Sequence, residues 1–255
     1  DRMVRGAALV EQAGADVLDV NCGCPVPKVV KRGGGCELMR QPDRLFRILE
    51  AIRREVSLPV TLKMRSGWDE RSLNAADVAA VAEAAGLSMV AVHGRTRVQL
   101  YQGSADWEVV RRVKERVRIP VVASGDVTSP EEALLREREY GPDAMMIGRG
   151  ALANPWMFRQ IEELRRGETA YAPSVEERVD TMCAYAAFLE EDYEPRMITA
   201  RLRQFVGRVT KGFRGGNELR REINSARTKD EILGLLCRFA ELASRTRESA
   251  EAAAA

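Results

Sequence analysis

Residues 15–39 hold the densest set of reactive side chains in the sequence. A short apolar run ending at Val20 breaks into Asn21, Cys22, Cys24, Pro25, Pro27 and the consecutive Gly33, Gly34 and Gly35. Cys22 and Cys24 lie closer together than the usual zinc-ligand spacing, and His93 is the sole histidine, so a metal centre is not expected. A thiol with an ordinary pKa of about 8.5 is mostly protonated at neutral pH. Cys24 is therefore equipped to give a proton to a developing carbanion. The alternative, a buried structural thiol, suits a strand interior better than a Gly/Pro loop.

Further along, polar groups recur just beyond apolar runs. Lys63 and Arg65 stand two apart near the end of Pro59–Arg65 and so share a face. At the mouth of a barrel such a lysine would be able to contact the pyrimidine edge of a flavin, where charge accumulates on reduction; the alternative is a surface ion pair. His93 closes the run from Ser88 and precedes Gly94-Arg95. Ser124-Gly125-Asp126 and Gly148-Arg149-Gly150 follow two later runs. Small residues there let backbone N–H groups approach a phosphate, and an arginine adds a bidentate charge.

These groups need elements to hold them. The sequence predicts helix 2–12, strand 17–20, helix 42–56, strand 59–65, helix 74–85, strand 88–93, helix 106–117, strand 120–124, helix 130–140, strand 143–147 and helix 154–166. Strand and helix alternate five times. Four of the strands are nearly continuous apolar runs, as in a parallel sheet covered on both faces. Polar residues after each strand end converge on one mouth in a barrel, and the phosphate-binding pattern belongs after strands 7 and 8. The fold class is thus α/β, a TIM (β/α)8-type barrel that is incomplete, with strands 4–8 present. A doubly wound sheet is the rival, and its Gly-rich fingerprint is not found.

The composition permits such a core, with 45% apolar residues among 255 and a formal charge of only +2. Five cysteines, an odd number, point to free thiols in a reducing cytoplasm. No apolar run is long enough to cross a bilayer. The sequence opens on Asp1 within a helical pattern and reads as a fragment. Beyond residue 173 the strand signal ends. Residues 1–166 are assigned to the barrel, 174–246 to a helical domain and 247–255 to a disordered tail. Between Pro195 and Lys229 stand ten basic residues against two acidic ones: Arg196, Arg201, Arg203, Arg208, Lys211, Arg214, Arg220, Arg221, Arg227 and Lys229 against Glu218 and Glu222. That excess suits a phosphate backbone, while Phe205 and Phe213 read as core.

Taken in order, Asn21-x-Gly23-Cys24-Pro25, Leu62-Lys63-x-Arg65-x-Gly67-Trp68, His93-Gly94-Arg95-Thr96, Gly125-Asp126 and Met146-Ile147-Gly148-Arg149 resemble the tRNA-dihydrouridine synthase family, most closely its bacterial B-like branch. Lys211-Gly212 and Leu219-Arg220-Arg221-x-Ile223-Asn224 resemble that family's helical domain. The resemblance implies an FMN enzyme that reduces a uridine of tRNA with NADPH. Cys24 would protonate uracil C5, while reduced FMN gives hydride to C6. Lys63 and His93 would contact the flavin. Ser124, Gly125, Asp126, Gly148 and Arg149 would hold its phosphate region. Asn21, Arg65 and Arg95 would serve the substrate, and the helical domain would bind tRNA.

The sequence departs from the family pattern at Ser124, where asparagine is usual, and carries a second thiol, Cys22, in the motif. Family strands that carry further flavin contacts are not found in it, so this polypeptide alone is expected to bind FMN poorly and to be inactive. Two other readings are a flavin barrel acting on a free pyrimidine or small unsaturated substrate, and a non-catalytic RNA-binding fragment.

Overall fold

A computed structural model describes residues 2–213 and 215–254, with side chains through 244. Asp1, Arg214 and Ala255 lie outside the described residues. The chain divides into two compact units, residues 1–148 and 149–255.

The first unit alternates helices and strands: α1 (Arg2–Gln12), β1 (Leu18–Asn21), α2 (Pro27–Val30), a 3-10 turn (Gly35–Arg40), α3 (Pro42–Glu55), β2 (Val60–Arg65), α4 (Ala75–Ala84), β3 (Met89–His93), α5 (Glu108–Arg116), β4 (Val121–Ser124), α6 (Pro130–Tyr140) and β5 (Ala144–Met146). The strands pair in parallel in the order β1-β2-β3-β4-β5. A doubly wound sheet reverses its strand order at a switch point. This one never reverses, so it is an arc of a (β/α) barrel.

Local signals set the helix limits. Pro42 starts α3 at a position that needs no N–H donor, and Leu45, Leu49 and Ile52 form its buried stripe. Ser129 Oγ accepts the backbone N–H of Glu132 at the start of α6, and Gly141 closes it in the left-handed region at φ 63°. Helix α2 and the 3-10 turn fall within the stretch expected to be a loop.

The two faces of the sheet differ. The register aligns Asn21 with Lys63, Arg65 with His93, and His93 with Ser124, so these side chains share one face. On the opposite face Val20, Leu62, Met64, Val90, Val92 and Ala123 are buried against the helices. The shared polar face is buried at its centre, where Thr61 and Arg65 are each 4% exposed. It is open at its margins, where Asp19, Asn21, Ala144 and Met146 are exposed. The expectation of a sheet covered on both faces therefore holds at the centre and fails at β1 and β5, because an arc of five strands does not close over its own concave side.

The second unit is helical: α7 (Arg149–Ala153), α8 (Met157–Arg165), α9 (Val175–Asp192), α10 (Pro195–Val209), α11 (Gly216–Ser225) and α12 (Lys229–Ala254). The expected helix 154–166 is α8, starting three residues later, and an unexpected short helix, α7, precedes it. This grouping places the helices after β5 with the helical unit, earlier than the expected boundary at 166. A capping box at Ser174 and Glu177 opens α9. Met182, Leu202, Val206, Ile223, Ile232 and Leu236 form the centre of the core, with Phe205 packed against it. The segment from 247, expected to be disordered, continues α12 to Ala254. Alanine and glutamate are strong helix formers, which suits that run. Among the described residues, no helix is long and apolar enough to cross a membrane.

Candidate active site

At the end of β1 the chain turns over its own neighbours. Asn21 Oδ1 accepts the Gly23 N–H at 2.9 Å, and the Cys22 N–H donates to the Lys63 carbonyl at 2.7 Å. Cys22 is then fully buried, while Cys24 is only partly covered. The Cys24 carbonyl accepts the Cys36 N–H at 3.1 Å, which folds the glycine-rich segment back onto the thiol loop. Gly35 is needed at that crossing: its φ is +56°, and a Cβ there would lie 2.4 Å from the Cys24 carbonyl oxygen.

The three thiols of this region are not equivalent. Burial pushes the Cys22 thiol up to about 12 and the Cys36 thiol up to about 11. Both remain protonated and inaccessible, which leaves Cys24 as the thiol open to chemistry. The second cysteine of the motif is thereby separated from the first by burial, a distinction that residue type alone did not make.

Lys63 and His93 lie on the shared polar face, at the ends of β2 and β3. Burial, then the Arg65 charge, lowers the Lys63 pKa, and Lys63 makes no ion pair with any described residue. His93 is held down to about 4, first by burial and then by Arg65, Lys63 and Arg95, with Asp126 acting against them. Its ring is therefore neutral at physiological pH. Arg95 Nη1 lies 3.5 Å from His93 Nε2.

Arg65 and Arg95 are occupied within the protein. Arg65 donates to the carbonyls of Gly23, Thr96 and Leu100 at 3.0, 2.8 and 2.9 Å. Arg95 forms a bidentate pair with Asp126 at 2.7 and 2.6 Å and donates to the carbonyls of Gln102 and Gly103. Asp126 also accepts the Ala105 N–H and has φ 49°, a left-handed conformation uncommon outside glycine. These three residues brace the loops that follow β1, β3 and β4. Ser124 ends β4 in register with His93. Gly125 has φ +141°, and a Cβ there would meet Ala105 at 2.5 Å and His93 at 3.3 Å. Gly148 closes the first unit and Arg149 opens α7 in the second.

Sequence reasoning missed a second brace. Arg40 and Arg97 stand over the Trp68 ring at 4.6 and 4.9 Å. Val98 N–H also donates to the Trp68 carbonyl. Loops after three successive strands meet at this indole. The Gly67-Trp68 motif pointed to the residue but not to its partners.

In the helical unit, several of the described basic residues are used internally, and Arg201 stands over the Tyr193 ring at 4.1 Å. Arg203 donates to the carbonyls of Ile223 and Ala226, Arg220 bonds Thr210 and Asn217, and Lys229 pairs with Glu190. Arg196, Arg201, Arg208, Lys211, Arg221 and Arg227 are exposed. Arg201, Arg208 and Lys211 form a stripe on and just beyond α10, with spacings of seven and three.

At or just beyond the strand ends of this parallel (β/α) barrel arc stand a partly covered thiol, Cys24, a half-buried ammonium group, Lys63, and a neutral imidazole, His93. The model of the dihydrouridine synthase family matches residues 1–245, and the chain belongs to that family. It is 39% identical over 223 residues to a probable tRNA-dihydrouridine synthase of Rickettsia conorii, covering 87% of this chain and 67% of that one. It is 40% identical over 224 residues to tRNA-dihydrouridine synthase B of Pseudomonas putida, covering 88% and 66%. A probable tRNA-dihydrouridine synthase of Rhodobacter capsulatus is 43% identical over 192 residues, covering 75% and 57%. The chain spans about two thirds of the length of the first two relatives and less of the third.

Proposed function

We propose that this chain carries the proton-donating and flavin-contacting part of an enzyme that reduces the C5=C6 bond of a uridine in tRNA to 5,6-dihydrouridine. The observation that carries this reading is the placement of Cys24. It is the accessible thiol of a three-thiol region, on a loop at the strand ends where Lys63 and neutral His93 also stand.

The residues present fit FMN. Lys63 is a half-buried ammonium group that makes no ion pair with any described residue and has only the more distant charge of Asp19 in its favour, and such a group is stabilised by an electron-rich ligand. Gly125 packs so closely on Ala105 and His93 that a Cβ would collide there, which fixes the loop after β4 against the His93 ring. When bound and reduced by NADPH, FMN supplies the hydride for C6. Cys24 supplies the proton for C5, so that H⁻ and H⁺ add across the double bond and the thiolate is reprotonated from solvent. His93, neutral at working pH, offers a hydrogen bond without a competing charge. Ser124, Gly125, Gly148 and Arg149 are the residues proposed for the cofactor's phosphate region.

Arg65 and Arg95 act in this reading by holding the loops around the base, because their donors are already engaged. The amide oxygen of Asn21 is likewise engaged with Gly23, while its NH₂ remains for the base. Asp126 serves through its pair with Arg95, since a carboxylate does not itself attract a phosphate. The exposed basic stripe of the helical unit supplies the electrostatic contact with tRNA and favours tRNA over a free pyrimidine. A base must leave its stack to reach such a site.

The test is dihydrouridine formation in tRNA by the full-length protein with FMN and NADPH. The Cys24→Ala variant should lose the product while retaining tRNA affinity. Unchanged product formation in that variant would overturn the assignment, and equal turnover of free uridine would move the substrate class to small pyrimidines.

A further inference from the structure

We propose that Cys183 and Cys237 are a redox modification site, oxidised by a hydroperoxide to a disulfide that ties α12 to α9. Both thiols lie within the helical unit, so this inference goes beyond the proposed uridine chemistry and stands apart from Cys24.

Helices α9 and α12 pack on each other, and two side-chain contacts fix their register. Ser244 Oγ donates to Glu176 Oε1 at 2.7 Å, and Lys229 pairs with Glu190. The start of α9 thus meets the later part of α12, and its end meets the start of α12, so the two run antiparallel. Glu176, Cys183 and Glu190 are spaced seven apart and fall along one stripe of α9. Seven residues on from Glu176 is Cys183, and seven back from Ser244 is Cys237. Each helix rises about 1.5 Å per residue, so equal steps bring the two thiols to one level. Counting from the Glu190–Lys229 contact gives the same level to within one residue. Facing positions on packed helices are where a disulfide can bridge two elements. The Cys183 thiol also feels its neighbour: its pKa is raised first by burial, then by Cys237 and Asp180.

Accessibility separates this pair from the buried thiols. Cys22 and Cys36 are closed to an oxidant. Cys183 lies partly covered at the margin of the helical core, and Cys237 is exposed. Cys237 therefore reacts first. Its sulfur attacks one peroxide oxygen and becomes a sulfenic acid, the O–O bond breaks, and the other oxygen leaves with the thiol proton as water or an alcohol. Cys183 then attacks the sulfenic sulfur. The S–S bond forms, the S–O bond breaks, and the hydroxyl leaves as water with the Cys183 proton. The two thiols lose two electrons, which the peroxide takes up. The disulfide encloses α10 and α11 and so restrains the unfolded chain.

The experiment treats the full chain with hydrogen peroxide, alkylates it and maps its peptides by mass spectrometry without reduction. The parent should give the Cys183 and Cys237 peptides joined, two hydrogens lighter than their sum, and dithiothreitol should release them. Its urea midpoint should rise on oxidation. In Cys183→Ser, Cys237 should stop at the sulfenic acid, captured by dimedone, and the midpoint should not rise. Recovery of both cysteines as alkylated thiols after peroxide, or pairing of either with a different cysteine, would overturn the site. A joined pair with an unchanged midpoint would overturn the tie between the helices.

Discussion

The Arg65 guanidinium lies 3.0 Å from the carbonyl oxygen of Gly23, the residue immediately before Cys24. Arg65 is 4% exposed, and its remaining hydrogen bonds run to Thr96 and Leu100. The loop that carries Cys24 is therefore held by an arginine 41 residues further along the sequence. Replacing Arg65 with glutamine removes a charged donor from three carbonyls. Hydrogen bonds to charged groups are worth about 1.5–3 kcal/mol each, so Arg65→Gln should lower stability by at least about 2 kcal/mol and open residues 97–103 to proteolysis. A urea midpoint equal to that of the parent, with no new cleavage in that loop, would refute the bracing role.

His93 offers a clean titration because it is the sole histidine. Its folded pKa of about 4 lies below the ordinary value of 6.5. Between these two values the unfolded chain binds a proton that the folded chain does not. Stability should therefore fall as pH drops from 6.5 towards 4, and this contribution should level off below that. An NMR titration of the imidazole resonances should give a midpoint well under 6.5. A midpoint at or above 6.5 would remove the neutral ring from the proposed mechanism.

The cysteines should separate in alkylation experiments. Cys22 and Cys36 are 0% exposed, and their raised pKa values leave little thiolate at pH 8. Peptide mapping after brief iodoacetamide treatment should find Cys24 modified while Cys22 and Cys36 remain intact. Comparable labelling of Cys22 and Cys24 would mean that the loop does not bury the former as described. In Gly35→Ala the added Cβ collides with the Cys24 carbonyl, so Cys24 labelling should change in that variant.

Asp126 and Arg95 form the most buried arginine–carboxylate pair among those described, with side chains 28% and 3% exposed. Asp126→Ala would strand the guanidinium beside His93. Breaking such a pair from one side typically costs about 3–5 kcal/mol. Chemical denaturation should show a loss near the lower end of that range, because Asp126 retains some solvent contact. A loss within error of zero would place the pair among ordinary surface ion pairs.

Much of this architecture can be read from local order. Apolar runs, caps and Gly/Pro punctuation depend on neighbouring residues, so the alternation of strand and helix is legible, as is the burst of polar residues after each strand. The two-residue period of a strand puts Lys63 and Arg65 on one face without any coordinates. The short helix α2 and the 3-10 turn escaped because four to six residues carry too little periodicity to register.

What tertiary structure alone decided is how the charged groups are used. Arg65, Arg95, Arg203 and Arg220 look like ligand-facing cations in the sequence, yet all four hydrogen-bond to main-chain carbonyls. An arginine has five donors and no partner specified by its own neighbours, whereas a carbonyl is offered by every residue. Only the meeting of distant loops determines which donors are consumed. The same holds for the thiols: Cys22 and Cys24 are chemically identical in sequence, and the pleat of β1 carried one residue further buries the first and leaves the second within reach of solvent.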